Sequence, residues 1–64
     1  MQKIVHYYHK FTDMPPTYEN YMMIRDWCYN NFSGYHIVEF NKRSSCIIIW
    51  MELSEDNLLL VLTW

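Results

Sequence analysis

His6, His9, His36, Cys28 and Cys46 are the side chains of this 64-residue chain that could hold a transition metal. Zinc sites gather ligands in closely spaced pairs, and only His6-x-x-His9 has that spacing. Its segment, residues 3–11 (KIVHYYHKF), reads as a strand, and on a strand residues three apart point to opposite faces. The two imidazoles would diverge. Neither a metal nor any other cofactor is expected.

Nucleophilic catalysis needs a thiolate beside a base or at the positive end of a helix. Cys28 falls near the C-terminal end of a predicted helix, where the dipole disfavours the thiolate, and Cys46 opens an apolar strand. Both read as small core residues. Glu52, Glu55 and Asp56 sit on a turn that calls for polar residues, Glu39 stands alone, and one glycine, Gly34, cannot build a phosphate-cradling loop. No catalytic residue is assigned, and the chain is not expected to be an enzyme.

The elements that would carry these side chains form one α+β domain over residues 1–64. The first strand ends at Thr12-Asp13-Met14-Pro15-Pro16, because proline lacks the ladder donor and biases its predecessor away from helix. A helix capped by Thr17 runs to about Phe32 and stops at Ser33-Gly34. Tyr18, Tyr21, Met22, Ile24, Cys28, Tyr29 and Phe32 share its apolar face. Residues 35–41 and 46–53 read as strands joined by a polar hairpin loop. Residues 54–57 turn the chain, and Leu58–Trp64 return as a fourth strand. The expectation is a small, mainly antiparallel four-stranded sheet in the order β-α-β-β-β, with one helix packed on one face.

That architecture leaves apolar surface uncovered. The last two strands are apolar on both sides, whereas a half-exposed sheet alternates apolar with polar. One helix covers one face, and a bare second face would exceed what a monomer tolerates. A homo-oligomer, most simply a dimer, is therefore expected, with Ile48, Trp50, Leu60, Leu62 and Trp64 as its interface. On the helix, Met23 and Trp27 fall four residues apart on the polar side. With Glu19 and Asn30 alongside, they form a candidate ridge for a foreign protein, since Trp and Met are enriched at interface centres.

Composition narrows the partner. A hydrophobic share of 52% against 19% charged excludes a disordered tail. A net charge of -2 suits neither an acidic nucleic-acid mimic nor a strongly basic binder, so nucleic acid is a disfavoured partner. Single-strand binding by Tyr7, Tyr8, Phe11 and Lys10, helped by Lys42-Arg43, is the alternative; a structural or assembly subunit is another. The N-terminus lacks a secretory pattern, and Glu52, Glu55, Asp56 and Asn57 interrupt the best apolar stretch, so a cytoplasmic protein without a membrane span is expected. Ala is absent while Ile, Asn, Tyr and Met are frequent, as AT-rich codons favour. Small genes of that kind are common in phages and mobile elements. The functional expectation is a non-enzymatic protein that binds and inhibits or modulates a host macromolecule, such as a defence nuclease or a transcription component.

Overall fold

The computed structural model describes residues 6–64; Lys3, Ile4 and Val5 of the expected first strand lie outside them. The elements run β1 (Tyr7–Phe11), α1 (Tyr18–Asn31), β2 (His36–Asn41), β3 (Cys46–Met51) and α2 (Ser54–Thr63). The α+β class holds, with three antiparallel strands and two helices among the described residues in place of four strands and one helix.

Three consecutive isoleucines make β3 the stiffest β-former in the chain, and it occupies the centre of the sheet order β1-β3-β2. Both neighbours run antiparallel to it, so β1 and β2 are parallel to each other, and α1 carries the chain from one edge to the other. Phe11, His9 and Tyr7 stand opposite Ile47, Ile49 and Met51, which in turn stand opposite Phe40, Val38 and His36. The hairpin between β2 and β3 is tied by Asn41, whose Oδ1 accepts from the backbone N–H of Arg43 and Ser44 at 3.0 and 3.1 Å.

Helix α1 begins as its sequence requires: the Thr17 hydroxyl accepts from the Asn20 N–H at 3.1 Å. Its packed stripe is Ile24 and Cys28, fully buried, with half-buried Trp27 beside them. Those positions are i, i+4 and i+3, the spacing of one helical face. Tyr18 and Tyr29, assigned to the apolar face from sequence, are exposed instead.

The main correction concerns residues 54–64. Ser54–Asn57 are the first turn of α2 rather than a link between strands, and Leu58–Trp64 do not form a fourth strand. Leucine is a strong helix former, and Val61 is the only β-branched apolar residue of the run. Glu55 and Asp56 suit the positive end of the helix dipole. Leu60 is fully buried in the core, so it cannot face a second copy as part of a dimer surface.

Both helices lie on one side of the sheet. The core joins Phe11, Ile47, Ile49 and Met51 of the strands to Ile24 and Cys28 of α1 and Leu60 of α2. Helix α1 lies along β2, and α2 lies over β1 and β3. Trp27 closes the seam between them, with ring centroids 5.5 Å from Phe32 and 5.9 Å from Trp64, both edge-to-face.

A carboxylate fixes the end of α1 to the start of α2. Asp56 is buried, and its two oxygens accept from the backbone N–H of Ser33 at 3.0 Å and of Gly34 at 2.9 Å. Gly34 allows this approach, because a Cβ there would lie 2.5 Å from Leu53 Cγ and 3.2 Å from Asp56 Oδ2. Burial, followed by the negative charge of Asp56, pushes the Cys28 thiol up to about 12. Cys28 is therefore a neutral core thiol at physiological pH.

Candidate functional site

Because both helices sit on one side, no helix among the described residues lies over the other sheet face. Its exposed part is made of two cross-strand rows, and buried Cys46 opposite Asn41 closes one end of the same face. Tyr8, Trp50 and Ile37 form one row, and Lys10, Ile48 and Glu39 form the next. Strand alternation puts these residues opposite the core set.

The aromatic row is ordered by two contacts. Tyr8 and Trp50 lie with ring centroids 5.3 Å apart and planes tilted by 32°. The Trp50 indole N–H donates to Glu39 Oε1 at 2.9 Å, which holds the indole across the sheet. Tyr8 remains 61% exposed, and Ile37 is exposed on the other flank of half-buried Trp50. Ile48 lies buried between Lys10 and Glu39 in the second row. The face is thus an aromatic-aliphatic patch with one cation and one engaged carboxylate, and it is less greasy than the strand pattern implied.

A second set of exposed apolar side chains lies on the outer side of α2. Leu58, Val61 and Leu62 are 60%, 54% and 76% exposed, and Leu59 is exposed beside them. Trp64, which packs edge-on against Phe11 and Trp27, is also partly open to solvent. Exposed apolar side chains are thus divided between α2 and the strands, where Tyr8 and Ile37 are open as well.

The residues singled out from sequence divide accordingly. Met23, Glu19 and Asn30 are exposed on α1, and the Asn30 amide donates to the Asp26 carbonyl at 2.9 Å. Trp27 turns into the seam between the helices and does not stand beside Met23 as a solvent-facing anchor. Ile48 and Trp50 lie on the open sheet face, while Leu62 and Trp64 lie at the end of α2. Of the aromatics considered for stacking bases, Phe11 is buried in the core and Tyr7 lies on the helix side, leaving Tyr8 with Lys10. Tyr8–Trp50 was the pair that sequence reasoning missed. Its signal is weak, since the register that pairs them comes from β1 meeting β3 across an intervening helix and hairpin.

No group of three His, Cys, Asp or Glu side chains comes together among the described residues. His6 contacts Tyr7, whereas His9 lies against Phe11 with centroids 4.7 Å apart on the helix side. Burial lowers the His9 pKa below its ordinary 6.5, because a charged imidazole loses hydration there. Its neutral form therefore contributes stability above the unfolded value, and that contribution is lost as pH falls below about 6.5. Denaturation midpoints should drop between pH 7 and pH 5, and His9→Gln should flatten part of that acid limb. An unchanged acid limb in His9→Gln would assign the loss to other groups.

Comparison with known families, characterised proteins and solved structures gives no match to this chain. No helix among the described residues is long and apolar enough to cross a membrane.

Proposed function

We propose that this chain is a non-enzymatic interaction protein that acts as a homo-oligomer in the cytoplasm of a host cell. It binds a host macromolecule and inhibits or modulates it, and a phage or other mobile element is its source. The source rests on the alanine-free, AT-type composition alone. The binding role rests on one observation, the helix-free sheet face with Tyr8 exposed beside an indole already held by Glu39. Tyrosine and tryptophan supply large contact area at low entropic cost, and this pair is ordered before any partner arrives.

The test is capture from host extract by wild type and two open-face variants, Tyr8→Ala and Ile37→Asp, each first shown to be folded. A partner that uses this face should bind wild type about 10- to 100-fold more tightly than Tyr8→Ala, the range for truncating an anchor aromatic. A partner that binds all three equally would remove this face from the proposal.

Single-stranded nucleic acid is the second reading, favoured by the Tyr8–Trp50 pair with Lys10 in the adjoining row of an antiparallel sheet. The Glu39 carboxylate on the same face opposes it. Titration with single-stranded oligonucleotides separates the two readings: nucleic-acid binding should weaken as salt rises and be lost in Lys10→Ala. An assembly subunit would instead show large homo-oligomers and no foreign partner.

A further inference from the structure

The geometry points to an acidic peptide segment as the partner of the open sheet face. An apolar side chain of that segment lies on the Tyr8–Trp50–Ile37 row, and its carboxylates meet Lys10, Lys42 and Arg43 at the hairpin end. This deepens the proposed function and rests on its reading that the open face is the one that binds. Lys10 stands opposite Ile48, two residue pairs or about 7 Å along the strands from the Asn41–Cys46 pair that closes the hairpin of Lys42 and Arg43. All three cations are exposed, and none of their side chains makes an ion pair or hydrogen bond among the described residues. Glu52, Glu55 and Asp56 follow Met51, at the opposite end of β3. A chain of net charge -2 thus keeps an unneutralised positive end beside its uncovered face.

Charge complementarity selects this occupant. Like charges gathered without partners repel one another in the free protein and draw in carboxylates. Of the acids nearest them, Asp13 lines a cleft with His9, Met14 and Trp64, towards the helix side. Glu39 lies on the open face itself, with the Trp50 indole N–H on its Oε1. Its carboxylate keeps a partner's acids away from the middle of the face, so they belong at the hairpin end. From Trp50 to Cys46 is four residues of β3, about 13 Å, which extended chain spans in about four residues. The segment that fits therefore carries a large apolar side chain with a group of carboxylates about four residues away. A nucleic-acid strand repeats its phosphates along its whole length and would lay some of them against Glu39. A peptide needs to place charge at one end only.

Selection from a displayed library of random peptides with the full chain as bait, followed by titration of the enriched peptides, tests this. Enriched peptides should carry Asp or Glu about four residues from a large apolar side chain, and their affinity should fall as salt rises. Lys42→Ala combined with Arg43→Ala should weaken them by about 10-fold or more. Glu39→Gln should tighten them, because the amide oxygen still accepts from the indole while the negative charge is gone. Neutral or basic peptides, or acidic ones indifferent to the double variant, overturn the acidic-segment assignment; if Tyr8→Ala still weakens them, the open-face reading stands. An oligothymidylate that displaces the peptide and binds more tightly at the same salt makes nucleic acid the occupant and overturns it too. A library that yields no binder, or only binders indifferent to Tyr8→Ala and Ile37→Asp, overturns the open-face reading and this inference together.

Discussion

Leu60→Asp is expected to leave no folded protein at room temperature, whereas Leu62→Asp, two residues along, keeps the wild-type fold. Leu60 is fully buried under α2 within the core, and Leu62 points away from it into solvent. On a strand those two positions would share a face and respond alike; on a helix they lie about 160° apart. At ~0.05–0.15 kcal/mol per residue, a domain of this size has about 3–10 kcal/mol of stability in total. An unpaired carboxylate in the core costs several kcal/mol, added to the ~2–5 kcal/mol lost when a buried leucine is truncated. Far-ultraviolet circular dichroism and urea titration of both variants provide the measurement. A soluble, folded Leu60→Asp would show that the inward face of α2 is wrongly assigned.

Asp56→Ala should be the most damaging polar substitution, costing about 2–4 kcal/mol. It removes both acceptors of the Ser33 and Gly34 N–H groups and cuts the link between the end of α1 and the start of α2. Asp56→Asn should fall between wild type and alanine, because one amide oxygen can still accept while the amide nitrogen faces the other N–H. Urea midpoints give the stability ranking, and amide exchange at Ser33 and Gly34 locates the loss. The same substitutions remove a negative charge near Cys28, so its thiol should titrate at lower pH in Asp56→Asn. Wild-type stability in Asp56→Ala would mean that those two N–H groups find water at no cost.

Much of this was legible in the chain. Thr17 before a helical period, proline ahead of it and Ser33-Gly34 behind it bound α1 to within a residue or two, because caps and breakers act locally. The Ile-rich run 46–51 marked a strand for the same reason: β-branched side chains decide their own backbone preference. Trp27 was also readable. With Ile24 and Cys28 it completes an i, i+3, i+4 stripe, and a face drawn too far towards the tyrosines hid it. The run at 58–62 misled because apolar residues on every position carry no period, so helix and strand look alike. The leucine content and the acidic residues before it favoured helix, and a short polar tetrad read as a turn outweighed them.

By itself the sequence determined the α+β class, the first helix with its caps, and the Ile-rich strand, and it pointed to more apolar surface than one helix can cover. Tertiary structure alone decided where that surface lies. Whether an unpatterned run such as LLLVL coils or extends depends on what it packs against: Leu60 found a place over Ile47, Ile49 and Met51, and its neighbours were turned outward as a consequence. The same long-range packing put both helices on one side of the sheet and brought Tyr8 to Trp50, contacts that no local propensity encodes.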